Sequence, residues 1–331
     1  MHKPALKGAG VDPVTPLEAY PKLAKAIGVG RLLFKREDLH PYGSHKGRSI
    51  PVMIDQYLNA GERHFAISSS GNAALAAALH IKELGAGSLE LGENNTDSIV
   101  TPAKAGVHDR TTEIEIPISL DIFIGQHTAP HKAQRLKELA DDHIRVLIKE
   151  RPLQALSQAV NEGARSLRQS TDDLALVGYE SLAQELAGDP ALRSDLSVFI
   201  GTSSGTTAQA LATYFLKEKL PIQVHIVQTS SCHPLADAFE SYDGPDEASL
   251  ADAITDITAR RKDALIPLIK KTGGRAWVAT NDDIRAAQEL TLKNTGLKIS
   301  TNSALSVAGA MKAVELGYEL GKTVVCIICG E

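Results

Sequence analysis

The chain has 331 residues, of which 43% are hydrophobic, and its formal net charge is −5 with a pI near 6.1. This length predicts two domains or one large α/β domain with a sizeable core. The mildly acidic balance argues against a dedicated nucleic-acid binder, which would carry a clustered basic face. No signal-peptide pattern and no apolar run of about 18 residues occurs, so we expect a cytoplasmic protein without membrane contact.

Strand-like apolar runs alternate with helical patterns along the chain. The predicted strands are residues 31–37, 64–70, 121–126, 144–150, 196–202, 222–229 and 323–329. Segments between them repeat apolar residues at three- and four-residue spacing. These predicted helices are residues 72–85, 129–142, 153–167, 207–220 and 302–317. The alternation predicts an α/β fold in which helices cover parallel sheets.

Residues from about 92 to 117 interrupt this alternation. They are polar and rich in threonine, with little helical periodicity. We predict a long loop or a hairpin, and long connections in compact domains are more often functional than neutral.

The three cysteines are Cys232, Cys326 and Cys329. An odd and sparse count predicts no disulfide framework. Cys326 and Cys329 form a C-x-x-C pair, but positions three apart in a strand point to opposite faces. We therefore expect no metal or redox site there.

The segment of residues 35–49 contains a candidate reactive lysine. Pro41 and Gly43 indicate a turn, and Ser44 is a candidate N-cap for a following helix. Lys46 then lies in the first turn of that helix, where its amine could form an imine with a carbonyl group. A solvated lysine in a charged loop is the alternative interpretation.

Two other segments share a strand–loop–helix pattern. In residues 66–78, serines and exposed helix N–H groups could cradle a carboxylate. In residues 196–212, a loop of Gly, Ser and Thr could bind a phosphate group. This loop lacks both the lysine of a Walker loop and the spacing of a dinucleotide fingerprint. An ordinary helix cap remains the alternative for each segment.

Together and in this order, these segments resemble the fold type II pyridoxal-phosphate enzymes, such as threonine synthases and serine/threonine dehydratases. The matching segments are residues 15–28, 43–48, 68–74, 177–187, 201–206 and 324–331. The resemblance implies two three-layer α/β/α domains with mostly parallel sheets. It assigns residues 1–45 plus 160–331 to a larger cofactor-binding domain and residues 46–159 to a smaller substrate-binding domain. Pyridoxal 5'-phosphate is the implied cofactor, and a homodimer is the expected assembly.

The resemblance also implies roles for individual residues. GSHKGR resembles the family's G-S-F-K-D-R motif, which makes Lys46 the catalytic Schiff-base lysine with His45 beside it. SSSGNAA resembles the S-T-G-N-T-S loop, which places Asn72 at the phenolic oxygen of the cofactor. The implied substrate-binding residues are Ser69, Ser70, Gly71, Asn72 and Ala73. The implied phosphate-binding residues are Gly201, Thr202, Ser203, Ser204, Gly205 and Thr206.

Several features depart from the family pattern: the phosphate loop has fewer glycines than usual, and two further departures concern the cofactor and the substrate. Cys329 stands where relatives carry a Ser or Thr that contacts the pyridine nitrogen, and a thiol is a poorer hydrogen-bond partner. The predicted strand of residues 144–150 is followed by RPLQAL, where threonine synthases tend to show an Asn–x–Asp turn. This second departure weakens the assignment of a phosphorylated substrate.

The implied activity is elimination or replacement on a small amino acid. The first hypothesis is a threonine synthase-like γ-elimination and hydration of a phosphohomoserine-type substrate. The second is a serine/threonine ammonia-lyase, and the third is a family member that binds an amino acid without catalysis.

Overall fold

In a computed structural model, the structure describes residues 13–93, 117–189, 192, 195–244 and 247–330. Two sheets organise these residues. The strands are β1 (Leu17–Ala19), β2 (Arg31–Lys35), β3 (His64–Ser68), β4 (Ser119–Gly125), β5 (Ile144–Lys149), β6 (Arg165–Ser166), β7 (Leu196–Gly201), β8 (Ile222–Thr229), β9 (Ala276–Ala279) and β10 (Thr323–Ile327).

Helices connect most of these strands. They are α1 (Pro21–Ile27), α2 (Lys46–Asn59), α3 (Asn72–Glu93), α4 (Pro130–Lys137), α5 (Pro152–Asn161), α6 (Leu174–Gly188), α7 (Thr206–Lys217), α8 (Lys262–Lys271), α9 (Asn281–Thr295) and α10 (Thr301–Glu315). The predicted excursion near 92–117 lies outside the described residues between positions 94 and 116.

The larger sheet has the order β1-β2-β10-β7-β8-β9, and the smaller sheet has the order β5-β4-β3-β6. Every pair of neighbouring strands is parallel except β1 and β2, which are antiparallel. The predicted α/β fold with mostly parallel sheets is confirmed. The domain boundaries at residues 45/46 and 159/160 stay a prediction.

Helices cover the larger sheet on both faces. Val198 of β7 packs with apolar residues of α6, α7 and α8 in one cluster. Phe199, the next residue, packs with α1, α9 and α10 in a second cluster on the opposite face. Because successive strand residues point to opposite faces, a strand buried on both sides is a continuous apolar run. This is why β7 and β10 are visible in the sequence.

The smaller sheet has the same three layers. Ile67 and Ile122 pack against α2, α3 and α4 on one face. Ala66 and Phe123, their neighbours in the strands, pack against α5 on the other. Each sheet is therefore the middle of an α/β/α sandwich, as the resemblance implied.

Most predicted elements are confirmed, and the differences lie at helix ends and in short strands. The helix predicted over residues 72–85 continues to Glu93, and the one predicted over 129–142 ends at Lys137. The predicted strands correspond to β2, β3, β4, β5, β7, β8 and β10. The helix predicted over residues 153–167 ends at Asn161, and Arg165–Ser166 forms β6 instead. The strands β1, β6 and β9 have two to four residues each, which is too short for a periodic pattern.

The C-x-x-C cysteines separate as the strand geometry predicts. Cys326 lies in β10 within the cluster that includes α10, and Cys329 belongs to the cluster on the opposite face. The three thiols are free and buried. Within the described ranges, no helix is both long and apolar enough to cross a membrane.

A buried ion pair joins α2 to the larger sheet. Arg48 donates from Nε and Nη2 to both carboxylate oxygens of Glu37, at 2.7 and 2.8 Å, and both side chains are 0% exposed. Arg48 Nη1 also donates to Glu185 of α6 at 2.6 Å. Burial opposes the charge of Arg48, but these two carboxylates outweigh it and raise its pKa. Two parallel hydrogen bonds fix the direction of the guanidinium as well as its charge.

We expect the substitution Arg48→Met to destabilise the protein by about 3–5 kcal/mol, because Glu37 would stay buried without its partner. Chemical unfolding measures the loss. The control is Arg285→Met, which breaks an exposed pair with Asp282 and should change the stability by less than about 0.5 kcal/mol. Equal effects of the two substitutions would contradict a structural role for the buried pair.

Candidate active site

A cavity of about 380 Å³ lies between the two sheets. Its walls include residues that follow β3 and β4 of the smaller sheet and β7 and β10 of the larger sheet. Carboxyl ends of parallel strands are the usual ligand-binding edge in α/β folds. The predicted site residues that line the cavity are His45, Lys46, Ser69, Ser70, Gly71, Asn72, Ala73, Gly201, Thr202, Ser203, Ser204, Thr206 and Cys329.

Lys46 is the first residue of α2 and reaches into this cavity. Its Nζ donates a hydrogen bond to Gln169 Oε1 at 2.8 Å. The same atom lies 5.8 Å from the centroid of the Tyr179 ring. The amine is therefore held at a defined place by one acceptor and one aromatic face.

The start of α2 is fixed by the turn before it. Ser44 forms an antiparallel bridge with Gly330, which lies just beyond β10. Its Oγ accepts the backbone N–H of Lys46 at 3.3 Å. The sequence predicts Ser44 as the N-cap, whereas His45 occupies that position because the helix begins one residue later. The carboxyl end of β10 thereby sets the position of Lys46.

His45 is buried beside the lysine. Its Nδ1 lies 3.3 Å from the carbonyl oxygen of Cys329, and its ring stacks on Tyr179 with centroids 5.8 Å apart. Burial and the neighbouring Lys46 lower the pKa of His45 to about 3. The imidazole is therefore neutral at pH 7, and Nδ1 carries its proton because a carbonyl oxygen can only accept.

The loop between β7 and α7 is braced by its own side chains. Thr202 Oγ1 accepts the backbone N–H of Gly205 at 2.9 Å, and the hydroxyls of Ser204 and Thr206 lie 2.8 Å apart. Gly205 has a φ of 82°, and a Cβ there would lie 2.3 Å from a methyl group of Leu265. Gly205 therefore supports the shape of the loop without lining the cavity.

The same loop presents unpaired donors. In the described part of the chain, the backbone N–H groups of Ser203, Ser204, Thr206 and Thr207 make no hydrogen bond. The last two open α7, a helix of 12 residues whose N-terminus carries partial positive charge. Converging N–H groups with hydroxyls beside them fit a phosphate group. With Lys46 in the same cavity, these residues fit a phosphorylated cofactor that bonds covalently to a lysine.

The predicted carboxylate loop turns from β3 into α3. Ser69 Oγ accepts the backbone N–H of Gly71 at 3.3 Å, and the helix begins at Asn72. All five predicted residues of this loop line the cavity. Hydroxyl groups and N–H donors at a helix start match the acceptors of a carboxylate.

Cys329 lines the cavity just beyond the end of β10. Its Sγ lies 3.6 Å from the carbonyl oxygen of Ile327. Burial raises the pKa of the thiol to about 12, although the nearby Lys46 opposes this shift. The side chain is therefore uncharged at pH 7, and its contact with a pyridine nitrogen stays a prediction.

Gln169 lies at the centre of a buried polar network that the sequence pattern did not reveal. Besides accepting from Lys46, its side chain donates to Ser49 Oγ at 2.7 Å and to the Tyr179 hydroxyl at 3.1 Å. Its backbone carbonyl accepts from Arg261 Nη2 at 2.7 Å. Gln169 follows the two-residue strand β6, which gives no periodic signal.

An ion pair in the cavity wall was also missed. Lys132 Nζ lies 2.8 and 2.6 Å from the two carboxylate oxygens of Asp252, and Asn302 Nδ2 donates to the same carboxylate at 3.2 Å. Burial raises the pKa of Asp252, but the hydrogen bonds from Lys132 and Asn302 outweigh it and lower the pKa. The sequence signal for this ion pair is the position of Lys132 in the helix that follows β4, because residues beyond the carboxyl ends of parallel strands often line ligand sites.

The cavity between the two mostly parallel sheets brings together a lysine, a loop that fits a phosphate group and a loop that fits a carboxylate. This combination is expected of an α/β protein whose phosphorylated cofactor is linked to a lysine. Comparison with known families agrees with this class. The sequence profile described as "Pyridoxal-phosphate dependent enzyme" matches residues 11–91 and 117–330. The chain belongs to this family, whose cofactor is pyridoxal 5'-phosphate.

Similar proteins include threonine synthases. That of Methanosarcina acetivorans is 25% identical over 344 aligned residues, which cover 96% of this chain and 74% of the relative. That of Mycobacterium tuberculosis strain H37Rv is 26% identical over 323 aligned residues, which cover 96% of this chain and 80% of the relative. The resemblance to this group of enzymes is confirmed, and at such identity it does not fix the substrate.

Solved structures show the same fold. An aspartate racemase that depends on pyridoxal 5'-phosphate superposes with a TM-score of 0.74 at 18% identity, over 96% of this chain and 90% of its own. The processed form of threonine deaminase isoform 2 from Solanum lycopersicum superposes with a TM-score of 0.71 at 19% identity. The match covers 96% of this chain and 79% of that structure. The fold type II architecture is confirmed. Structural similarity at these sequence identities shows the fold and does not show the activity.

We expect Ser204→Asp to weaken the binding of pyridoxal phosphate at least about tenfold relative to Ser204→Asn, because only the carboxylate repels a phosphate held by this loop. The two substitutions have nearly the same size, so they differ chiefly in charge. Absorbance titration of the cofactor-free protein measures both affinities. Equal affinities would show that the phosphate binds elsewhere.

Proposed function

We propose that this chain catalyses elimination or replacement on a small amino acid, with Lys46 as the anchor of its pyridoxal phosphate. The observation that carries the proposal is the convergence of three features in one cavity. These are Lys46, the unpaired N–H groups of the 201–206 loop, and the loop of residues 69–73. Family membership supplies the cofactor.

The residues around the cavity suit distinct parts of the cofactor. We assign the phosphate to the 201–206 loop, where N–H groups and hydroxyls converge. We assign Asn72 to the phenolic oxygen, His45 to the side of the ring, and Cys329 to the pyridine nitrogen. An uncharged thiol offers no negative charge to a pyridinium, so Cys329 would leave that nitrogen mostly unprotonated.

When bound, the cofactor supplies an electron sink for negative charge at the α-carbon of the substrate. Lys46 is the group that takes the α-proton, since its amine lies at the point of attachment. Gln169 positions that amine: its Oε1 accepts from Nζ, while Ser49 and Tyr179 fix the amide. A base held in one place needs less reorganisation before it accepts the proton.

The size of the cavity limits the substrate. Its volume of about 380 Å³ is at the small end of the range for ligand pockets, about 300–1,000 Å³. The cofactor and the reacting part of the substrate would share this space, which favours a small amino acid. Its carboxylate is assigned to the loop of residues 69–73, because serine hydroxyls and the start of α3 line the cavity there.

Two reactions are candidates at finer detail. A threonine synthase-like γ-elimination and hydration of a phosphohomoserine-type substrate is supported by the threonine synthase relatives. A serine/threonine ammonia-lyase reaction is supported by the pairing of Lys132 with Asp252, which leaves little positive charge for a second phosphate. Release of phosphate indicates the first reaction, and release of ammonia indicates the second.

Three further expectations accompany this proposal. A family member that only binds an amino acid would show the cofactor absorbance without turnover of any substrate. The predicted homodimer can be checked by sedimentation of the purified protein. The predicted cytoplasmic location can be checked by cell fractionation.

Reduction with borohydride should fix the cofactor covalently to Lys46. The native protein should also absorb in the visible range, because an imine links the lysine to the cofactor. Peptide mass spectrometry identifies the modified residue. The control variant Lys46→Ala should bind cofactor without a reducible adduct, and an identical adduct in that variant would place the anchor at another lysine.

The substitution Gln169→Met should slow exchange of the substrate α-hydrogen with solvent by about tenfold, because Lys46 loses the acceptor that holds its amine. Proton NMR in heavy water measures the exchange. Tyr179→Phe is the comparison variant: it removes one of the two contacts that fix the amide but keeps Gln169 as the acceptor, so it should slow the exchange less than Gln169→Met. The visible absorbance should be unchanged in both, and unaltered exchange in Gln169→Met would contradict the positioning role.

A further inference from the structure

The Lys132–Asp252 ion pair stands between two cavities. A second cavity of about 380 Å³ adjoins the first. Lys132, Asp252, Ser70 and Gly125 line both of them. A substrate whose carboxylate is bound by the loop of residues 69–73 would have its side chain next to this ion pair.

Asp252 is held in place from the side of the larger sheet. Asn302 donates to its Oδ1 at 3.2 Å and accepts the backbone N–H of Ala253 at 3.1 Å. Ser203 Oγ accepts two more backbone N–H groups of the same segment, at 2.9 Å each. Lys132 reaches this fixed carboxylate from α4, on the side of the smaller sheet. The carboxylate is thus built into the cavity wall.

The charges around the two cavities disfavour an anionic side chain. Among their described lining residues, the lysines and arginines are Lys46 and Lys132. Lys46 is assigned to the cofactor, and both oxygens of Asp252 neutralise Lys132. Glu150 adds a further negative charge to the second cavity. A phosphate group, with its charge of about −1.5 to −2 at pH 7, would meet net negative charge there.

A third cavity provides no alternative place for a phosphate group. It is lined by Arg135 and His131 and shares Asn72 and Lys132 with the first cavity. Its volume is about 30 Å³, which suits one or two water molecules.

We propose that the Lys132–Asp252 pair selects amino acids with an uncharged side chain, such as serine or threonine, and rejects phosphorylated ones. The inference rests on the proposed function and favours the ammonia-lyase reaction within it. L-Serine would lose its β-hydroxyl as water, take one water back on hydrolysis, and yield pyruvate and ammonia. L-Threonine would yield 2-oxobutanoate and ammonia in the same way.

The test compares charged and uncharged amino acids on the holoenzyme. L-Serine, L-threonine, O-phospho-L-serine and O-phospho-L-homoserine are each titrated, and the shift of the visible cofactor band gives a dissociation constant for each. The values of kcat/KM are measured in parallel from keto acid, ammonia and phosphate release. We expect the native protein to bind and turn over the two uncharged amino acids in preference to the phosphorylated ones.

The variant Asp252→Asn frees Lys132 without changing the size of its partner. We expect it to shift the preference toward the phosphorylated amino acids by about tenfold or more, within the range measured for close charge pairs at binding sites. The control Asp282→Asn makes the same change of net charge at an exposed residue of α9 and should leave the preference unchanged. Lys132→Gln keeps the carboxylate and should strengthen the rejection of phosphate, so it tests the inference even where Asp252→Asn folds poorly.

Each contrary outcome has a distinct meaning. A native protein that prefers O-phospho-L-homoserine, or an Asp252→Asn variant with unchanged preference, would overturn this inference and leave the proposed function standing. Absence of any spectral shift or turnover with all four amino acids would overturn the proposed function, and this inference with it.

Discussion

The buried pair of Arg48 and Glu37 is the constraint on which the site depends. Helix α2 packs its apolar face on the smaller sheet, yet its first turn is tied by Arg48 to Glu37 and Glu185 on the side of the larger sheet. Ion pairs that are fully buried tolerate little displacement, because any loss of contact leaves a charge without water or partner. Lys46 lies two residues before Arg48, so the same contacts that join the two sheets fix the position of the amine.

The two sides of the cavity differ in burial. Around Lys46, the partners Gln169 and Tyr179 are buried and joined to each other by hydrogen bonds. At the other side, Lys132 and Asp252 have side chains that are 20% and 50% exposed. Buried networks can hold a cofactor in one orientation, whereas a partly exposed pair contributes less to the stability of the fold. We expect substitutions on the second side to alter which substrate binds more than whether the cofactor binds.

Local sequence patterns reveal some residues of the cavity and not others. The long apolar strands β7 and β10 and the loops after them were predicted because burial on two faces and a glycine- or serine-rich turn both leave a local pattern. The loops after β3 and β7 leave the same kind of pattern, and the resemblance to a known family then implied the roles of Ser69 to Ala73 and of Gly201 to Thr206. Gln169 and Asp252 have no such pattern, since their neighbours come from segments more than 100 residues away in some cases, such as Lys46 and Lys132.

Family membership therefore identifies the cofactor but says little about the substrate. The motifs that resemble those of threonine synthases include Lys46 and the loop of residues 201–206, to which we assign the cofactor, and one cofactor requires a similar arrangement in every member. Under the proposed selection by charge, substrate choice would depend on the net charge of the cavity wall, and one carboxylate such as Asp252 would change it without disturbing a motif. Relatives at about 25% identity therefore agree with this chain about pyridoxal phosphate. These relatives say little about the substrate side chain that would lie next to Lys132 and Asp252. The charge of that part of the cavity wall is set by individual residues and not by the fold.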